Sequence, residues 1–330
     1  MDPTNLIILF IAVALLFDFL NGFHDSANIV ATMIASGAMG PRTALVVASV
    51  AEFSGPFLFG VAVAATIGTE ILDPKVISLG ILLAALCSAI IWDLATWYFG
   101  IPSSSSHALI GGMLGAAIAG GHLDLVHAAG MEKVLIALFI SPLLGIAVGW
   151  LLMRMLLFMG RRSSPRINTV FKRGQIFTSI GLALSHGTND AQKTMGVITS
   201  ALVILGFEKS FSVPWWVIAL CAGAISLGIS TGGWRIIKTL GAGMYRIRPI
   251  HGFAAQATSA SIILGAALLG GPVSSTQVVS SAIMGVGSAE RISKVRWGVA
   301  QNILVAWVVT IPASIILAGL LYMLISPVIH

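Results

Sequence analysis

Apolar residues run through this chain in stretches of membrane length, and the stretches are continuous rather than alternating. The first, "LIILFIAVALLFDFL", leads straight into the polar octet "NGFHDSAN" at 21–28. Crossing ~30 Å of hydrocarbon takes about 20 residues of helix, and only helices or closed barrels satisfy their backbone polar groups in lipid. Barrel strands alternate apolar and polar positions, so these runs read as helices. The pattern predicts segments over 5–36, 43–69, 76–100, 102–120 and 133–159, then over 175–206, 214–237, 250–270, 272–288 and 297–325. The first and sixth are expected to be interrupted near 21–28 and 186–193, where glycine and polar residues break the apolar run.

Two polar motifs recur in the same order. "NGFHDSAN" (21–28) resembles "HGTNDAQK" (186–193), with Gly22 matching Gly187 and Asp25 matching Asp190. "PSSSSH" (102–107) resembles "PVSSTQ" (272–277), and Gly115 matches Gly285 further on. The offsets, 187 − 22 = 165 and 285 − 115 = 170, are close to half the chain, the mark of a duplication. Five crossings per half is an odd number, so the halves are expected in opposite orientation. The fold expected is an all-α polytopic membrane protein of two inverted-topology repeats, 1–160 and 175–330, joined by a basic linker over 161–174. Interrupted helices and helix N-termini are expected to meet near the bilayer midplane.

Composition supports this class. The 330 residues are 57% hydrophobic and 9% charged, against about 25% charged in soluble domains. The net charge of +6 is no nucleic-acid signal, because "RRSSPRINTVFKR" (161–173) places five basic residues and no acid in one short connection. A cytoplasmic loop accounts for it. With that loop inside, fourteen basic residues fall on the cytoplasmic side (Arg42, Arg154, Arg161, Arg162, Arg166, Lys172, Arg173, Arg235, Lys238, Arg246, Arg248, Arg291, Lys294, Arg296) and three outside (Lys75, Lys133, Lys209). Both termini are then expected outside. Cys87 and Cys221 have no partner spacing, and the first apolar run carries Asp18 behind no basic stretch, so it does not read as a cleaved signal peptide.

Each repeated motif suggests a charge. Asp25 and Asp190 are costly inside a membrane unless a cation or solvent attends them. Asn21, Asn28, Asn189 and Gln192 add neutral oxygens, and unwound backbone would add carbonyls, which suits a hard cation such as Na⁺ at Asp25 and Asp190. The plainer alternative is that each aspartate caps a broken helix. In the other pair, proline followed by hydroxyls and then an apolar run reads as a helix start. Helix N-termini attract anions, and Ser103, Ser104, Ser105 and Ser106, with Ser274, Ser275 and Thr276, add donors without fixed charge. Plain capping is again the alternative. An anion and cations sharing one site lower each other's electrostatic cost, which is coupled transport stated as physics. His24, His107 and His186 either relay protons or act as neutral donors. Asp18, Glu52 and Asp93 have no acidic match in the other half, and Arg235 and Lys238 are expected to snorkel to the cytoplasmic surface. No GxSxG elbow is present and triads are not built twice, so an enzyme is not expected. The buried carboxylates suit ion coupling better than the rapid flow of a channel.

"NGFHDSANIVATMI", "SHGTNDAQKTMGVI", "PSSSSHALIGG" and "PVSSTQ" resemble the paired signatures of the inorganic phosphate transporter (Pit) family, over about 6–325. The resemblance implies symport of inorganic phosphate with Na⁺ or H⁺, no cofactor, an inverted-repeat fold in the plasma membrane and a homodimer. It assigns Asp25 and Asp190, with Asn21, Asn28, Asn189 and Gln192, to the cation, and the two hydroxyl segments, with Thr188, to phosphate. Two positions depart from the family pattern. His24–Asp25 stands where many members have Asn-Asp, and Gln192–Lys193 where others carry Ala-Asn or Ser-Asn. Both remove an amide oxygen and add a titratable or basic group, which favours H⁺ over Na⁺, and Lys193 becomes a candidate to neutralise the anion. Some members carry sulfate or a metal–phosphate complex instead. The short link between halves resembles compact prokaryotic members.

Overall fold

The computed structural model describes residues 2–71, 78–122 and 127–329. Its helices are α1 (Pro3–Ala35), α2 (Pro41–Phe59), α3 (Ala62–Ala65), α4 (Leu79–Phe99), α5 (Ser105–Ala119), α6 (Ala128–Met159), α7 (Ile167–Ile204), α8 (Trp215–Thr231), α9 (Trp234–Lys238), α10 (Pro249–Leu268), α11 (Ser275–Glu290) and α12 (Trp297–Ile329). Proline opens α1, α2 and α10, where its missing N–H costs nothing. Serine caps α4, α5 and α11: the hydroxyls of Ser78, Ser104 and Ser274 each accept the N–H three residues on. Lys75, counted outside above, lies beyond the described residues.

Among the described residues, α1, α2, α4, α6 with its following turn and α12 are long and apolar enough to cross a membrane, and α8 with α9, bent by 61°, makes a further candidate. The 15 residues of α5 and 16 of α11 reach only about 22–24 Å at 1.5 Å per residue. Both start inside the protein, and Ser106 Oγ donates to Val273 O at 3.1 Å, so the two N-termini meet directly.

The expected interruptions are in the wrong place. Helix α1 is continuous through 21–28 and α7 through 186–193. The polar residues there recur at i, i+4 and i+7, which is one face of a helix, so they line one side of the helix without unwinding its backbone. The breaks fall one segment later, at Gly60 (φ 83°) and Gly232 (φ 73°), inside the stretches 43–69 and 214–237 expected to be single helices. A π-helical turn follows each, Thr66–Glu70 and Thr239–Gly243. The linker is also shorter than 161–174, since α7 already begins at Ile167.

The conserved spacing of the glycines in the two motifs has a packing cause. A Cβ on Gly22 would stand 2.1 Å from the carbonyl oxygen of Ile225 in α8, and one on Gly187 2.2 Å from that of Glu52 in α2. Likewise Gly115 in α5 meets Ile315 of α12 (2.1 Å) and Gly285 in α11 meets Ile146 of α6 (2.3 Å). A second matched pair ties each broken segment to the far half. Thr66 Oγ1 donates to Gly270 O (2.7 Å) and Thr239 Oγ1 to Gly100 O (2.9 Å), the glycines being the left-handed corners before α11 and α5.

Two apolar clusters flank the middle of the molecule. Helix α1 gives Ile7 to Phe17 to one and Ala27 to Met33 to the other, whereas α7 gives Ala191 to Leu202 to the first and Leu182 and Ala183 to the second. The two helices therefore run in opposite senses, and their polar centres lie between the clusters.

Candidate functional site

The centre is built from two helix middles and two helix starts. On α1, Asn21, Asp25 and Asn28 lie along one face, and on α7 His186, Asp190 and Lys193 repeat that spacing, with Asn189 beside them. All are buried. The first turns of α5 and α11 bring hydroxyls, and their leading N–H groups have no acceptor within the helix.

Asp25 is surrounded by donors. Ser275 Oγ donates to its Oδ2 and Thr276 Oγ1 to its Oδ1, each at 3.0 Å. His24 Nδ1 lies 3.2 Å from Oδ1, and its Nε2 lies 3.4 Å from Ser103 Oγ, which pairs with Thr96. Asn28 Nδ2 donates to Thr276 Oγ1 at 3.0 Å. Across the centre, Asp190 is bonded by the ammonium of Lys193, which also reaches Ser106 Oγ at 2.5 Å. His186 joins the halves: its Nε2 lies 2.9 Å from Asp190 Oδ2 and 3.4 Å from Asp25 Oδ2, and its Nδ1 lies 2.7 Å from Glu52 Oε1. Both ring nitrogens face carboxylates, whereas a neutral imidazole donates from one only.

Several expected residues stand elsewhere. The amide of Gln192 is taken up by the helix break, accepting from Val63 and Ala64 N–H (2.7 and 3.2 Å) and donating to Gly60 O (2.5 Å). Ser26 serves the other break, accepting from Gly233 N at 2.7 Å. Thr188 bonds back to Leu184 O at 2.7 Å and faces Gly55 of α2, away from the hydroxyl segments. Ser104 and Ser274 cap their helices, and Ser103 lies beside His24. Ser105, buried in the first turn of α5, has no side-chain bond that assigns it. His107 Nδ1 pairs with Ser104 Oγ (2.7 Å), and the ring lines a groove of about 430 Å³ between α6 and α12 with Gln277 and Trp307, apart from the two aspartates.

Glu52 is the main addition to the site. Its signal in sequence was a carboxylate in an apolar segment, but its partner is 134 residues away. Asp18, also unmatched, accepts from Thr194 Oγ1 at 2.5 Å. Arg235, expected at the surface, is exposed there, lying over the rings of Trp97 and Tyr98 and donating to Tyr98 O.

A cation fits this centre on two grounds. One nitrogen of His186 and one oxygen each of Asp25 and Asp190 lie within 4.8 Å of one another. Both side-chain atoms of Asn21, and Oδ1 of Asn28 and of Asn189, are buried without a hydrogen-bond partner among the described residues. Buried polar atoms of this kind rarely stay unpaired, and three of the four are amide oxygens, hard donors on the helices that carry Asp25 and Asp190.

Comparison with known proteins gives the family and the fold. The pattern of the phosphate transporter family matches residues 21–165 and 157–318. A probable low-affinity inorganic phosphate transporter of Bacillus subtilis is 44% identical over 325 residues, 97% of each chain. One of Rhizobium meliloti is 43% identical over 327 residues, 98% of each chain. The fold is that of a structure titled "The sodium-dependent phosphate transporter", with TM-score 0.89, 23% identity and coverage of 98% of this chain and 100% of that one. Multi-pass, all-helical and matched along nearly its whole length, the chain belongs to the phosphate transporter family.

Proposed function

We propose that the chain imports inorganic phosphate by symport with Na⁺ or H⁺. Phosphate is held between the N-termini of α5 and α11, with Ser105, Ser106, Ser275 and Thr276 as hydroxyl donors. The coupling cation is held by Asp25 with Asn21 and Asn28, and Asp190 with Asn189 is the matched carboxylate and amide of the second half, where Lys193 is bonded to the carboxylate. The observation that carries this reading is the direct bonding of Asp25 to Ser275 and Thr276, which supports a cation ligand and an anion cradle side by side. A cation at Asp25 frees those hydroxyls to turn towards phosphate, and phosphate in the cradle favours the cation. Occupancy of one side thus promotes occupancy of the other.

The unpartnered amide oxygens favour Na⁺ as the coupling ion, and the relative with the same fold is titled sodium-dependent. The ring of His186 among three carboxylates favours H⁺. Two inverted repeats are supported by the opposite senses of α1 and α7, the matched glycine contacts and the matched threonine bonds. The membrane orientation follows from the basic residues, with the 161–166 connection cytoplasmic and both termini outside, in the plasma membrane. Arg248, Glu290 and Lys294 cluster where α10 starts and α11 ends, while Lys133 and Glu70 pair where α6 starts.

The test is radiolabelled phosphate uptake into proteoliposomes, with Na⁺ and pH gradients imposed separately and sulfate in excess as competitor. Uptake driven by either gradient and resistant to sulfate is the expected result. Movement of sulfate in place of phosphate overturns the substrate, and flux that ignores both gradients overturns symport in favour of a channel.

A further inference from the structure

The two carboxylates of the centre occupy matched positions, and one of the differences around them is a difference of fixed charge. When "NGFHDSAN" is laid on "HGTNDAQK", Asp25 falls on Asp190 and Asn28 falls on Lys193. The structure repeats the equivalence in three dimensions. Asn28 Nδ2 donates to Thr276 Oγ1 in the first turn of α11, and Lys193 Nζ donates to Ser106 Oγ in the first turn of α5. Thr276 and Ser106 are themselves matched, each being the residue before the last in "PVSSTQ" and "PSSSSH". The same three positions (carboxylate, reaching side chain, hydroxyl) therefore occur twice.

Their charges differ. Around Asp25 the third group is a neutral amide whose Oδ1 has no hydrogen-bond partner among the described residues. Around Asp190 it is an ammonium bonded to the carboxylate itself. Lys193 is 1% exposed, and a buried lysine persists only when paired. Its hydrogen-bond partners are the Asp190 carboxylate and the Ser106 hydroxyl.

We propose that the Lys193 ammonium is a built-in counter-ion that takes the place of one coupling cation at Asp190, so that the chain carries phosphate with one fewer transported cation than the same fold with an amide at 193. The proposal rests on the symport reading above and deepens it. A tethered ammonium lowers the cost of bringing phosphate to the α5 terminus just as a bound Na⁺ does, but it never leaves the site. It therefore adds binding without adding driving force. Only the Asp25 side then draws on an ion gradient, and the import cycle moves one positive charge less per phosphate.

Lys193→Asn restores the amide that Asn28 supplies in the other half. Purified full-length protein is assayed for the number of coupling cations per phosphate, from the ion gradient that just balances an opposing phosphate gradient, and for ²²Na⁺ bound at equilibrium. The expected result is a rise of one cation per phosphate, one additional bound Na⁺, and uptake more than tenfold weaker at low Na⁺ that recovers at high Na⁺. Lys193→Arg keeps the charge and is expected to keep the wild-type count. Lys193→Gln is the second amide variant. Unchanged stoichiometry and Na⁺ binding in a folded Lys193→Asn or Lys193→Gln protein overturns the proposal, and so does failure of both to fold, which would make the lysine structural. The Na⁺ binding count does not depend on phosphate movement, so a wild type that transports no phosphate overturns the functional reading while leaving this one open to its own test.

Discussion

The centres of α1 and α7 answer one physical problem in two ways. Each carries a buried carboxylate against the N-terminus of a helix from the other half. At Asp25 the negative charge is spread over neutral hydroxyls, an imidazole and an adjacent amide. At Asp190 it is met by a full positive charge from Lys193. Packing around the two is closely matched, down to the glycine contacts, so the backbone plan does not dictate the charge. A duplicated scaffold can thus keep its geometry while one half gives up exchange with the ion pool.

The largest effects are expected at the carboxylates. Removing one partner of a buried charged group costs about 3–5 kcal/mol, so Asp25→Asn and Asp190→Asn should each lower phosphate uptake by at least about a hundredfold. Asp190→Asn should also lower the unfolding temperature in detergent, because it strands the Lys193 ammonium, whereas Asp25→Asn strands no lysine and leaves His186 its contacts with Glu52 and Asp190. Equal thermal stability in the two variants breaks the comparison, and normal uptake in both removes the aspartates from the mechanism.

The glycines test the shared half of the comparison. Gly22→Ala and Gly187→Ala force a Cβ to within 2.1 and 2.2 Å of a neighbouring carbonyl oxygen. Overpacking of this kind costs about 1–3 kcal/mol or more, and the two variants should lose similar amounts of thermal stability. Gly181→Ala, one turn before the second motif, meets nothing within 4 Å and should be silent.

Glu52→Gln comes next, because it weakens the bond to His186 Nδ1. Hydrogen bonds to charged groups contribute about 1.5–3 kcal/mol, so uptake should drop about tenfold or more. Its counterpart by glycine contact is Ile225, where Ile225→Val should cost only about 0.5–1.5 kcal/mol of stability and leave uptake near wild type. Comparable loss of uptake in both would return Glu52 to the scaffold. The smallest effects belong to Thr66→Val and Thr239→Val, each removing one hydroxyl–carbonyl bond worth about 0.5–1.5 kcal/mol. Unfolding temperatures should fall slightly and to a similar extent; a large loss in only one would show that the matched bonds are not equivalent.

Much of this arrangement was legible in the chain. Apolar runs located most of the helices to within a few residues, because lipid permits little else, while the polar first turns of α7, from Ile167, lay outside the expected 175–206. The duplicated motifs picked out the residues that meet at the centre, since matched glycines and aspartates survive only where packing and charge demand them. The breaks were misread for a definite reason. Polar residues at helical spacing look like an interruption when their partners are unknown, while a single glycine with positive φ among apolar neighbours, as at Gly60, leaves almost no mark. Glu52 was visible as an anomaly but not as a site residue, because its partner is distant in the chain and its counterpart is Ile225. Gln192 and Thr188 sit within the motif, yet the helix turns them towards α2 and α3.

The four tightest glycine contacts of the motifs each join a helix from residues 3–159 to one from residues 167–329. Helices α1, α2, α5 and α6 make these contacts with α8, α7, α12 and α11. During synthesis the first six helices must wait in the bilayer with Asp18, Asp25 and Glu52 unmatched until the rest of the chain arrives. Neither portion completes its own polar centre, so the buried carboxylates gain their full set of partners only once both are present.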